Sequence, residues 1–164
     1  MTIGIGERLP AGALMEMTAS GPQAVSIEAL TSGKRVVLFG LPGAFTPTCS
    51  ARHVPGYLAL ADKLKARRVD EIVCVSVNDV YVMGAWAKDQ QTEGKIRMLA
   101  DGSAKFTRAI GLEQDLSERD MGLRCKRFSM LIDNGAIKAL NIEEPGKFEV
   151  SDAETMLYQL SKMP

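Results

Sequence analysis

Two periodicities take turns along this chain. Short, near-continuous apolar runs at Arg35 to Phe39, Glu71 to Val77, Ile96 to Leu99 and Phe128 to Asp133 predict strands covered on both faces, with amphipathic stretches between them. Asp133-Asn134-Gly135 reads as a hairpin turn into a further strand, Ala136 to Asn141, because Asn-Gly readily takes positive φ at both central turn positions. A hairpin added to strands that helices connect makes the sheet mixed. The pattern therefore predicts an α/β fold, a central mixed β-sheet flanked by helices.

Val54, Tyr57, Leu58, Ala61 and Leu64 recur at helical spacing, and Lys63, Lys65, Arg67 and Arg68 gather toward the far end, where cations suit the helix dipole. Cys49 then falls in the first turn. Pro55, six residues on, has no N–H to give, so the helix is expected to kink or loosen there at a cost of about 3 kcal/mol. Further helices are expected at about Val80 to Gln91, Ser103 to Ile110 and Asp152 to Lys162. Ser151 is the expected N-cap of the last, with Glu154 completing a capping box.

With 164 residues and 46% apolar content the chain can bury one substantial core, and residues 1–164 are read as a single domain. Lys plus Arg and Asp plus Glu number 20 each, so no basic stripe recommends nucleic acid or an anionic membrane as a partner. Met1 to Arg8 is not a basic leader followed by an apolar stretch, and later apolar runs are broken by Gly and Pro; a soluble, cytoplasmic protein is expected. The three cysteines form neither Cys-x-x-Cys nor a zinc-type spacing with His. They argue against a disulfide framework or a metal site and for thiols kept reduced.

The candidate chemistry sits in Val36-Val37-Leu38-Phe39-Gly40-Leu41-Pro42-Gly43-Ala44-Phe45-Thr46-Pro47-Thr48-Cys49-Ser50, a buried-type strand that runs through a Pro/Gly-rich loop to a cysteine at a helix start. Free N–H groups and the positive end of the helix dipole favour the thiolate at such a place. The alternative is an inert buried cysteine that packs as a small hydrophobe.

Pro42-x-x-x-Thr46-x-x-Cys49, continued by His53, Pro55, Gly56 and Tyr57, resembles the active-site pattern of peroxiredoxins, in particular the atypical type II, peroxiredoxin-5-like branch. Further blocks agree in order: Val75 to Asp79 with Met83 and Ala85-Trp86; Leu99 to Gly102; Gly122 and Arg124 with Arg127 to Met130; and Phe148 to Ala153. The likeness spans about residues 3 to 160. It implies a thioredoxin-like fold and a thiol peroxidase that reduces hydrogen peroxide and alkyl hydroperoxides without a cofactor, in antioxidant defence, and it implies a homodimer.

Within that resemblance Cys49 is the peroxidatic nucleophile. Thr46 is expected to donate its hydroxyl to the peroxide and to accept within the network, the alternative being a helix cap, and Pro42 to shield the sulfur. Gly43 would let backbone N–H groups approach the attacked oxygens. Arg127, on a strand facing the pocket, would stabilise the thiolate and the departing oxygen. Arg124 is explained equally well by a surface salt bridge. His53 falls four residues after Cys49, which invites a Cys/His pair, but the Pro-Thr-Cys pattern needs no base, so a supporting or surface role is expected. Cys74, 25 residues beyond Cys49, is the internal candidate to resolve the sulfenic acid; the rival is an outside thiol from glutathione, glutaredoxin or thioredoxin. Cys125, two residues from Arg127, is expected to share that strand's alternation phase and to have no redox role. A redox sensor that is oxidised once without turning over is the non-enzymatic alternative. Acyl or phosphoryl transfer fits less well, having only His53 as base and no phosphatase-type arginine spacing.

Overall fold

The computed structural model describes residues 1–163. In chain order its elements are β1 (Ala13–Thr18), β2 (Gly21–Ser26), α1 (Ile27–Thr31), β3 (Arg35–Gly40), α2 (Val54–Ala66), β4 (Glu71–Ser76), α3 (Val80–Gln90), β5 (Arg97–Ala100), α4 (Lys105–Ala109), β6 (Glu113–Asp115), β7 (Leu123–Cys125), β8 (Phe128–Asp133), β9 (Ala136–Ile142) and α5 (Ala153–Ser161). A π-helical turn over Cys49–His53 precedes α2. Seven strands form one sheet in the order β2-β1-β5-β4-β3-β8-β9, and β6 pairs with β7 in a small separate ladder.

The centre is parallel, β3 beside β4 and β4 beside β5, while β8, β9, β1 and β2 join antiparallel. This is the expected mixed sheet of a thioredoxin-like fold. Along β3 the side chains alternate between two buried layers, which is why the strand reads as continuously apolar. Val37 and Phe39 pack with Tyr57, Leu64, Trp86 and Leu131 on one face; Val36 and Leu38 pack with Leu99, Phe106, Met130 and Ile132 on the other. The hairpin forms as expected, with Asn134 at φ 49° and Gly135 at φ 83°.

The N-terminal hairpin carries no clear periodicity and escaped the pattern. Four of the six β2 residues are exposed, and β1 stands against β5 through Met15–Ala100 and Glu16–Leu99. Glu16 takes a bidentate contact from Arg97 at 2.8 and 3.1 Å, tying the hairpin to the sheet. Helix α4 is shorter than expected because Ala104 turns left-handed (φ 58°) and the Asp101 carboxylate takes the Phe106 and Thr107 N–H groups. Helix α5 starts one residue later than its expected cap. Asp152 accepts from Thr155 N at 3.2 Å, whereas the Ser151 hydroxyl is already given to Glu143, so the Ser151/Glu154 capping box does not form.

Candidate active site

At the end of β3 the chain leaves the sheet through Leu41 to Phe45, a loop pinned from two sides. The Ala44 N–H donates to Asn78 Oδ1 at 3.0 Å, and the same oxygen takes the Ser76 hydroxyl at 2.6 Å. Arg124 donates to the carbonyls of Met121 (2.8 Å) and Pro42 (3.3 Å), clasping the loop to the segment before β7. It does so because Gly43 has no side chain: a Cβ there would lie 2.9 Å from Arg124 Nη1. Arg124 is thus a clamp rather than a surface ion-pair residue. Phe45 sits at φ 62°, left-handed backbone that a bulky residue seldom adopts and that tends to mark functional turns.

The Thr46 hydroxyl donates to the Gly43 carbonyl at 2.7 Å. Its proton is therefore committed inside the loop, and what it can offer a ligand is a lone pair, the reverse of the expected role. No residue uses it as a helix cap, and the Ser50 N–H bonds to the Thr46 carbonyl instead.

The cysteine turn that follows is π-helical, with the Val54 N–H reaching back to the Cys49 carbonyl. Pro55 explains the wide turn. In a regular α-helix its ring would collide with the carbonyl four residues back, whereas one extra residue per turn puts it at the first positions of α2, where no N–H is required. The expected loosening at Pro55 is this turn.

Cys49 is fully buried in the core layer of Phe39, Tyr57 and Trp86. Arg127 Nη2 donates to its sulfur at 3.3 Å, and Nη1 lies 3.0 Å from His53 Nδ1. Arg127 stands in the two-residue break between β7 and β8 rather than on a strand, and its guanidinium carbon is 5.7 Å from the centre of the Phe148 ring. That break also overturns the shared phase expected for Cys125, which packs in the opposite layer with Phe128 and Met130. Pro42, Thr46, Arg52, Arg127, Lys147 and Phe148 line a groove of about 620 Å³ outside the sulfur.

His53 is neither a surface residue nor a partner of the thiol. It is fully buried, and burial first, then the neighbouring Arg127, depress its pKa to about 3 against the opposing hydrogen bond to Ser151. Cys74, in the middle of β4 between Phe39 and Met98, shares the apolar layer of Cys49, and burial pushes its thiol well above the ordinary value. Burial does the same to Cys125. All three cysteines are free. Among the described residues no cluster of His, Cys, Asp and Glu could hold a metal ion.

A buried thiol at a helix mouth, against an arginine and beyond the end of an interior strand of a mixed sheet, defines a thioredoxin-fold thiol enzyme. Residues 5–157 match the Redoxin family. The chain is 49% identical to Peroxiredoxin-2C of Oryza sativa subsp. japonica over 159 residues, 96% of this chain and 98% of the relative. It is 44% identical to Peroxiredoxin-2D of Arabidopsis thaliana over the same shares of the two chains. The crystal structure of reduced Prx3 from Vibrio vulnificus in complex with hydrogen peroxide superposes with a TM-score of 0.94 at 52% identity, over 97% of this chain and 99% of that one. The chain belongs to the Redoxin family as a peroxiredoxin, a thiol-dependent peroxidase with an antioxidant role.

Asn78, Glu143 and Phe148 have no expected role in the site from the sequence, and Arg124 is expected only as a weaker candidate than Arg127. Asn78, Arg124 and Phe148 fall in blocks that carry the resemblance, yet only folding brings them to the active-site loop. Glu143 lies outside those blocks and has no local signature.

Proposed function

We propose that this chain is a single-domain, type II (peroxiredoxin-5-like) enzyme in which Cys49 is the peroxidatic nucleophile. The observation that carries the reading is the 3.3 Å contact of Arg127 Nη2 with the fully buried Cys49 sulfur. The thiolate attacks one oxygen of a hydroperoxide; the S–O bond forms, the O–O bond breaks, and the other oxygen leaves as water or alcohol after taking a proton. Arg127 stabilises charge on the sulfur and then on the departing oxygen. Thr46 orients the peroxide by accepting its O–H, since its own proton is held by Gly43. Pro42 walls the sulfur from water, which limits oxidation past the sulfenic acid. Hydrogen peroxide and small alkyl hydroperoxides are the substrates; the hydrogen peroxide held by the Vibrio vulnificus relative supports the first of these.

The sulfenic acid is resolved from outside, by glutathione, glutaredoxin or thioredoxin: the entering thiol forms a mixed disulfide with Cys49 and releases water. Burial of Cys74 supports this route, because a neutral, enclosed thiol is a poor nucleophile. Exposure of Phe45 (53%) on the active-site loop and of Tyr81 (67%) in the first turn of α3 supports a homodimer packed through apolar surface there; a monomer in sedimentation equilibrium would remove that reading. A reducing cytoplasm suits three free cysteines, and a fluorescent fusion found elsewhere would remove the assignment.

Cys49→Ser should abolish thiol-dependent peroxide consumption while Cys125→Ser leaves it nearly intact; activity retained in the first variant overturns the assignment. After one equivalent of peroxide, mass spectrometry should find a sulfenic acid at Cys49. A Cys49–Cys74 disulfide in its place would refute external resolution.

A further inference from the structure

We propose that His53 is a positioning residue of the peroxidase site: a neutral imidazole, fixed as its Nε2–H tautomer by the Ser151 carbonyl, whose Nδ1 holds Arg127 with the other arm of its guanidinium on the Cys49 sulfur. The inference rests on the roles proposed above for Cys49 and Arg127.

Hydrogen-bond inventory fixes the tautomer. A carbonyl oxygen can only accept, and the Ser151 carbonyl takes Tyr57 Oη–H at 3.0 Å with His53 Nε2 at 3.1 Å, so Nε2 carries a proton. Nδ1 faces a guanidinium, which has donors only, at 3.0 Å, so Nδ1 is the bare lone pair. Protonating it would set N–H against N–H. Burial and the Arg127 charge both oppose that protonation, in that order. The ring is enclosed by Phe39 from β3 at 4.8 Å between centroids, Phe148 from the loop before α5 at 4.9 Å, and Tyr57 from α2 at 5.7 Å. Arg127 is the charged group in contact with it, with Arg52 behind the Phe148 ring.

One acidic residue keeps both ends of this chain in register. The Glu143 carboxylate accepts the N–H groups of Glu149, Val150 and Ser151 and the Ser151 hydroxyl at 2.8–2.9 Å, while the Glu143 N–H donates to the Arg127 carbonyl at 3.0 Å. Arg127 and the Ser151 carbonyl, which flank the imidazole, are thereby fixed to one point. Without an acceptor at Nδ1, the Nη1 arm is left without a partner among aromatic rings and turns toward water in the groove. The Nη2 arm leaves the sulfur with it.

Two amide variants separate positioning from mere packing. His53→Asn places a side-chain oxygen near the Nδ1 position and keeps the acceptor for Arg127. His53→Gln places its NH2 near Nε2 and keeps the anchor on Ser151. The expected loss of kcat/KM for hydrogen peroxide is roughly 30-fold in His53→Gln and His53→Ala, about 2 kcal/mol at 1.36 kcal/mol per decade. His53→Asn should recover at least tenfold of it, and Cys49 alkylation rates at neutral pH should follow the same order. Wild-type rates in His53→Gln, or His53→Asn no faster than His53→Ala, overturn the proposal.

Nitrogen-15 NMR of the unmutated enzyme provides an arm that needs no variant to fold: the ring should be neutral at pH 5 with its proton on Nε2, and an Nδ1–H or doubly protonated ring refutes the proposal. Arg127→Ala in the same assays isolates the underlying reading. If it is slow while the His53 variants are not, only the positioning role fails; if it is fast as well, the Arg127 assignment falls too.

Discussion

Replacing Arg127 by lysine asks whether the site needs a charge or a fork. The guanidinium spends one arm on the Cys49 sulfur at 3.3 Å and the other on His53 Nδ1 at 3.0 Å, with its face 5.7 Å from the centre of Phe148. An ammonium keeps the charge, but as a compact point charge it cannot reproduce the planar pair of donors or lie flat against the ring. One charge-assisted hydrogen bond is therefore lost, worth about 1.5–3 kcal/mol. At 1.36 kcal/mol per decade, kcat/KM for hydrogen peroxide should fall about 10- to 160-fold. Stopped-flow fluorescence reads the step directly, because Trp86, the sole tryptophan, donates its indole N–H to the hydroxyl of Ser50, the residue next to Cys49, at 3.1 Å. Thermal melting of the same variant separates a rate effect from unfolding, since His53 Nδ1 is left without its donor in a buried site. A folded Arg127→Lys enzyme within threefold of the wild-type rate would show that charge alone suffices, and the two-armed account would be wrong.

Gly40→Ala should lower the melting temperature by several degrees, because the added Cβ would stand 2.2 Å from Phe128 Cε1 and 2.9 Å from the Cys125 sulfur; overpacking of this kind costs about 1–3 kcal/mol, and an unchanged melting curve would refute the packing argument. Buried His53 should make the enzyme acid-sensitive. Its unfolded imidazole binds a proton below about pH 6.5 and the folded one only near pH 3, so stability should fall by up to about 1.4 kcal/mol per unit as pH drops across that window. Denaturant titrations should show this slope lost in His53→Gln. Glu143 adds a separate loss at lower pH only, since its hydrogen bonds to Glu149, Ser151 and Val150 outweigh burial and hold its pKa below the unfolded 4.5.

How much of the fold could be read beforehand depended on burial. Strands β3, β4, β5 and β8 announced themselves because both faces are covered, leaving near-continuous apolar runs in which Ser76, Arg97 and Ser129 are isolated exceptions; β9 followed from the Asn-Gly turn. Strand β2, Gly-Pro-Gln-Ala-Val-Ser, buries too little to carry a period and exists because β1 beside it is held to β5 by pairing and by the Arg97–Glu16 contact. The three-residue strands β6 and β7 are too short for any periodicity. Their omission shifted Cys125 to the wrong layer. A strand break at Lys126-Arg127 changes which face every earlier residue sees, and nothing local marks it.

For the candidate site, residue types were legible and hydrogen-bond directions were not. Cys49, Pro42, Thr46 and Arg127 come from one compact motif and one remote block; folding brings Pro42, Thr46 and Arg127 to one groove and sets the buried Cys49 sulfur against Arg127. What Thr46 does with its proton depends on the Gly43 carbonyl, a main-chain group with no letter in the sequence. The same holds for His53, whose spacing from Cys49 suggested a base acting on the thiol, whereas the Ser151 carbonyl, 98 residues away, aims its free nitrogen at Arg127. A tautomer is set by whichever nitrogen finds an acceptor, and here that acceptor is placed by Glu143 gathering three consecutive N–H groups. The part of the site hardest to read in advance is thus built from backbone carbonyls and amides. Side-chain patterns name the reacting groups, while the peptide groups around them decide which way each proton points.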